Sequence, residues 1–312
     1  MLMEIAIVKF FQGLSSGFAD VFFWIVTKLG EETFFMFILL GIYLCYDKMF
    51  SVKYSMYYLL SVGINNLIKV VVGRPRPYVK SNEIVDRLHA TGKSFPSGHT
   101  QGYFVQASTM FNELNKKNNN KKLKTLVSII LAVFGILLMI SRMFWGQHYL
   151  SDVCVGMMFG LVLPFLFDWL LSFVPKKWKD AITPKRVFVF LGILSSVLFV
   201  LFLILELTVG FYSRKVYKFL GVFIAISLGY FVDNKWIRYE SNQGWKIGCI
   251  KFILSICVVS LLYWVISLIV PIVTFVYFIV YLFLGLVCTI LLPMLFKILF
   301  KEKVDSGKGN SK

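Results

Sequence analysis

Apolar runs close to twenty residues long recur along the whole of this 312-residue chain, and they leave few folds open. A helix rises 1.5 Å per residue, so about 20 apolar residues cross roughly 30 Å of hydrocarbon. A soluble domain needs a polar exterior. A chain that is 58% hydrophobic, with a mean hydropathy of +0.76, does not supply one. In lipid every backbone N–H and C=O must be satisfied internally, and helical runs of this length do that. The expected fold class is therefore an all-α polytopic membrane protein.

Ten runs stand out: Ile5–Val26, Phe34–Tyr46, Tyr54–Val72, Ser97–Phe111, Thr125–Ile140 and Tyr149–Val174, then Val187–Val209, Val216–Val232, Ile247–Val270 and Ile272–Phe300. The first is weakened by Gly13, Ser15, Ser16, Gly17 and Asp20 and is followed by no small-residue cleavage site, so it reads as a span or as a helix lying partly in the interface. Pro271 is expected to form the turn between the last two. Most basic residues fall in alternate connections: Lys48 and Lys53, the Lys116–Lys124 loop, Lys176–Arg186, Lys235–Lys246, and a tail over residues 301–312. The positive-inside rule then puts both termini in the cytoplasm.

The net charge of +17 is accounted for by these loops. No basic surface interleaved with stacking aromatics accompanies it, so nucleic acid is not an expected partner. The five cysteines, Cys45, Cys154, Cys249, Cys257 and Cys288, sit in or beside apolar runs without a Cys-x-x-Cys or Cys/His grouping. They read as small buried hydrophobes rather than zinc ligands.

Three polar clusters fall on the other, non-cytoplasmic side. Lys69 is followed by Arg74-Pro75-Arg76-Pro77 at the end of the third run; Pro96-Ser97-Gly98-His99 opens the fourth; Ser141-Arg142, His148 and Asp152 link the fifth to the sixth. Lys69, Arg76 and Arg142 are cations of the kind that bind phosphate oxygens, Arg by a bidentate fork and Lys as a point charge. Singly, each could be a snorkelling side chain; three together point to an anion. Ser97 and Gly98 begin a helix, where free N–H groups and the dipole favour an anion, and Gly98 lets it come close. His148 and Asp152, four residues apart on a helix, share a face, and the carboxylate can fix the imidazole tautomer. Only three histidines exist, and the third, His89, sits in a loop and reads as solvated. A nucleophile, an orienting carboxylate, a second histidine and a set of cations are what phosphoryl transfer requires. With no clustered carboxylates, metal-independent chemistry without a cofactor is expected.

The spacings Lys-x6-Arg-Pro, Pro-Ser-Gly-His and Ser-Arg-x5-His-x3-Asp, in that order, resemble the motifs of the type-2 phosphatidic acid phosphatase superfamily, whose active site is shared with vanadium haloperoxidases. The resemblance implies that His148 attacks phosphorus to form a phosphohistidine, that Asp152 orients it, and that His99 is the general acid. It implies that Lys69, Arg76, Ser97, Gly98 and Arg142 hold the phosphate, with Asn65 and Arg74 as supporting groups behind them. It covers roughly residues 1–174, as a six-span catalytic core; residues 175–300 would add four spans, as in the longer layout of the glucose-6-phosphatase and sphingosine-phosphate phosphatase branches. Glu206, at membrane depth in the seventh run, either lines a cavity, snorkels toward the lipid surface or pairs helices.

The expected function is hydrolysis of a lipid phosphate or diphosphate, of the polyprenyl diphosphate, phosphatidylglycerol phosphate or phosphatidic acid type, at the extracytoplasmic face of a bacterial membrane. The alternatives are a soluble phosphomonoester, a sphingoid-base phosphate, or phosphate transfer to a second lipid. A transporter with a degenerate site is a further class, disfavoured by the intact catalytic set.

Overall fold

The computed structural model describes residues 2–90, 92–177, 183–209, 214–269 and 276–300, and all regular structure among them is helical. The helices are α1 (Leu2–Gly13), α2 (Gly17–Leu29), α3 (Glu32–Cys45), α4 (Lys48–Val72), a short α5 (Pro77–Lys80), α6 (Gly98–Lys117), α7 (Lys121–Phe144) and α8 (Leu150–Ser172), then α9 (Pro184–Val209), α10 (Arg214–Val232), α11 (Trp245–Ile269), α12 (Val276–Leu286) and α13 (Leu292–Leu299). Seven described helices are long and apolar enough to cross a membrane, or eight if the α1–α2 pair counts as one. Pro271 and the basic tail lie outside the described residues.

Three of the ten expected spans differ. The first is not continuous: α1 and α2 meet at 115°. Ser16 caps α2 by accepting from the Ala19 N–H (3.2 Å), and the Ser15 hydroxyl donates to Asp20 (2.8 Å), so side chains that compete with helical hydrogen bonds break the run. The second, α3, has 14 residues, about 21 Å of helix, short for a span. The fourth, α6, is not apolar enough to qualify by composition and instead buries polar side chains. Gln101 donates to the Ser61 carbonyl (2.9 Å) and Gln106 accepts from the Tyr54 hydroxyl (2.8 Å). A polar helix is tolerated there because α4, α7 and α8 shelter it and supply its partners.

The chain divides into two compact units: residues up to Leu39 with Ser51–Val174, and Leu40–Phe50 with the chain from Pro175 onward. In the first, α6 packs along α8 through Gly156 and Gly160. A β-carbon on Gly160 would stand 2.4 Å from Phe104 Cβ and 2.7 Å from the Gln101 carbonyl oxygen. This is the close approach that small residues allow between membrane helices. The α1–α2 pair lies against α7, and α1 also against α8. In the second unit α9, α10 and α12 enclose Tyr217, Leu220 and Phe278, joined by Phe199 and Phe202. Glu206 there accepts from the Tyr217 hydroxyl (2.6 Å), so it pairs α9 with α10.

Candidate active site

The three polar clusters meet at one end of the first unit. Gly73, with φ +62°, ends α4 in a left-handed conformation that costs glycine little. The chain then runs through Arg74–Pro77, pairs briefly with the approach to α6 (Ser94 N–H to Arg74 carbonyl, 2.8 Å), and loops back. Lys69, in the last turn of α4, donates to the carbonyls of Lys93 (2.9 Å), Ser94 (3.2 Å) and Pro96 (2.7 Å), stitching that approach to α4. Arg76 is 8% exposed and donates to the carbonyls of Gly92 (3.1 Å) and Gln147 (3.1 Å).

Ser97 is the N-cap of α6, its hydroxyl accepting from the Thr100 N–H at 3.5 Å, and its own N–H donates to the Asp152 carbonyl (3.0 Å). Asn65 donates to Gln101 (2.8 Å), and its Oδ1 would stand 3.3 Å from a β-carbon at Gly98. Asn65 thereby fixes the first turn of α6, where Gly98 is exposed and His99 half-buried. His89 is exposed, its N–H held by Asp86 (2.9 Å).

Between α7 and α8 the chain turns through Gly146 (φ +69°), delivering Arg142 and His148 to the same place. Arg142 is 3% exposed; it donates to Thr27 (2.5 Å), and its Nε has no hydrogen-bond partner among the described residues. His148 is 2% exposed, with Nδ1 facing Asp152 Oδ2 at 3.5 Å, longer than an ordinary N–H···O hydrogen bond. Asp152 is fully buried. Its Oδ2 accepts from the Ser94 hydroxyl and the Tyr149 N–H (2.9 Å), its Oδ1 from Arg74 Nη1 (2.9 Å). Burial pushes His148 from its ordinary 6.5 down to about 3, and the Arg142 and Arg76 cations push the same way against the pull of Asp152. The imidazole is therefore neutral at physiological pH, and with Nδ1 turned to a carboxylate its other nitrogen is left as the lone-pair donor.

All eight residues named for catalysis or phosphate binding lie on these converging segments, and so do Asn65 and Arg74. Two details differ from the simplest phosphate cradle: Lys69 and Arg76 point to carbonyls, whereas among the described residues of the site the buried atoms without a hydrogen-bond partner are Arg142 Nε, the Tyr149 hydroxyl and His148 Nδ1, the last of which faces Asp152. Partners absent from the sequence reading are Glu4, Thr27, Ser94, Gln147 and Ser151. Glu4 carried a signal, being an acid in the first turn of an apolar helix; Thr27 carried none. Among the described residues, no three His, Cys, Asp or Glu side chains converge as a metal donor set.

Comparison with known families matches residues 50–178 to the profile described as PAP2 superfamily, and 217–303 to that described as PAP2 superfamily phosphatase, transmembrane extension. Undecaprenyl-diphosphatase BcrC of Bacillus subtilis is 34% identical over 104 residues, 33% of this chain and 49% of that protein. Phosphatidylglycerophosphatase B of the same organism is 34% identical over 107 residues, again 33% and 49%. The chain spans about half the length of these curated relatives. A crystal structure of a transmembrane PAP2-type phosphatidylglycerolphosphate phosphatase from Bacillus subtilis covers 56% of this chain and 87% of its own, at 24% identity and a TM-score of 0.48.

Proposed function

This chain belongs to the PAP2 superfamily and carries that superfamily's transmembrane extension, and from there we propose that it hydrolyses a lipid-linked phosphate or diphosphate through a phosphohistidine. The observation that carries this reading is the buried His148, its Nδ1 facing an Asp152 whose oxygens accept from Arg74, Ser94 and the Tyr149 N–H, with the Arg142 and Arg76 cations near enough to disfavour its protonation. In the first step the free ring nitrogen of His148 attacks phosphorus and the bond to the lipid oxygen breaks, while His99 gives that oxygen its proton. In the second, water deprotonated by His99 attacks the phosphohistidine, releasing phosphate and restoring His148. The uncommitted Nε of Arg142 and the first N–H groups of α6 oppose the charge on the equatorial oxygens. Arg76 and Lys69 hold the surrounding loops and add positive field. Fixed cations do the work a metal would do elsewhere, so the proposal is metal-independent: turnover persists in chelator.

The substrate class rests on the resemblance to diphosphatase and phosphatidylglycerophosphatase relatives and on a site at the end of membrane-spanning helices, which a lipid headgroup reaches from the bilayer. Basic residues concentrate in the connections at the opposite ends of those helices, which supports an extracytoplasmic site and cytoplasmic termini. The test is phosphate release by the purified protein from a polyprenyl diphosphate, phosphatidylglycerol phosphate, phosphatidic acid, a sphingoid-base phosphate and a sugar phosphate. Lipid substrates are expected to turn over and His148→Ala to abolish release. Preference for the sugar phosphate would overturn the substrate class, and full activity of His148→Ala the mechanism.

A further inference from the structure

Asp152 is held by a chain of contacts that ends outside every motif. Arg74 Nη1 donates to Asp152 (2.9 Å) and to the Ser151 hydroxyl (2.6 Å), and its Nη2 donates to Glu4 of α1 (2.5 Å). The second Glu4 oxygen accepts from the Ser151 N–H (3.2 Å) and hydroxyl (2.5 Å) in the first turn of α8. The Arg74 guanidinium also stacks on the Tyr149 ring, 3.9 Å from its centroid, and the Tyr149 N–H donates to Asp152. The guanidinium is thus gripped on three sides: by a carboxylate from α1, by Asp152 and by a ring.

Without Glu4 the guanidinium charge would be opposed by Asp152 alone. That carboxylate would turn toward Arg74 and away from His148 Nδ1, from which it is already 3.5 Å distant. A full cation would then face the imidazole as it becomes positively charged in the attack on phosphorus.

We propose that Glu4 is a positioning residue for the phosphatase site, holding Arg74 so that Asp152 stays aligned on His148 and making α1 part of the catalytic assembly. It touches no reacting atom and acts through Arg74 and Ser151. The inference rests on the phosphohistidine reading above.

The experiment compares steady-state hydrolysis of a lipid diphosphate by the full chain and by Glu4→Gln, Arg74→Gln, the double variant and Lys9→Gln. Lys9 joins α1 to Glu83 (2.7 Å) away from this network and controls for helix docking. Glu4→Gln is expected to lower kcat about 10- to 100-fold with little change in KM, the usual size of an outer-shell effect. Adding it to Arg74→Gln should cost no more than a further ~2-fold, because both act on one link. Lys9→Gln should keep the parent kcat. Three results would overturn the proposal: an unchanged kcat in Glu4→Gln, full additivity with Arg74→Gln, or failure of Glu4→Gln to accumulate folded while Lys9→Gln does. A parent protein that releases no phosphate would instead overturn the phosphatase reading itself.

Discussion

At the scale of single residues, the site is a balance between burial and charge. His148 holds a lone pair because burial and two arginines disfavour a second proton, and Asp152 is held facing it by Arg74, Ser94 and the Tyr149 N–H. The pH consequence has a definite sign. An unfolded His148 protonates near 6.5 and the folded one near 3, so folding is not penalised above pH 6.5 and loses stability as pH falls toward 3. Thermal unfolding followed between pH 4 and 7 should show a shallower pH dependence in His148→Leu than in the parent protein; equal slopes would contradict a buried neutral imidazole. Arg142→Lys tests the other half. It keeps a charge but loses the fork whose Nε is uncommitted, and kcat should fall about a hundredfold, a cost typical of removing one transition-state donor. The motif residues were legible because their chemistry is unusual in an apolar chain. Ser94, Thr27 and Gln147 were not: each is an ordinary polar residue whose role exists only once distant segments meet.

At the scale of elements, α6 and α8 set the position of the nucleophile relative to the phosphate seat. Gly156 and Gly160 bring the helices close enough for the Ser97 N–H to reach the Asp152 carbonyl. Gly160→Ala would drive a methyl group against the α6 backbone, and overpacking of this kind costs about 1–3 kcal/mol. Lower thermal stability together with a lower kcat is expected; a neutral effect on both would mean the helices can part without moving the site. The α1–α2 bend falls where the sequence weakens. Gly13, Ser15, Ser16, Gly17 and Asp20 interrupt the run Ile5–Val26, and the 115° bend lies among them. Conversely, α6 reads as a span by run length because its polar residues are spaced among apolar ones. Their partners on α4 become visible only in three dimensions.

At the scale of the whole molecule, the first unit carries every motif residue and the second carries the superfamily's transmembrane extension. Glu206 stands on α9, ahead of the stretch matched to that extension, and its bond to Tyr217 ties α9 to α10. Glu206→Ala should lower thermal stability by about 1 kcal/mol, near the upper range for a hydrogen bond between membrane helices, and leave kcat unchanged. A fall in kcat at unchanged stability would give the second unit a part in the chemistry. The all-α polytopic fold was readable from run length alone, because lipid leaves the backbone few solutions. The division of labour between the units was not, because apolar helices with similar composition say little about which neighbours they choose. The proposed mechanism turns on one covalent bond. Purified protein is mixed with a lipid diphosphate labelled on its terminal phosphate, quenched in alkaline denaturant where phosphohistidine survives, and mapped by peptide mass spectrometry. Label on His148, absent from His148→Ala, is the predicted result; label on another residue, or turnover by His148→Ala at the parent rate, would contradict it.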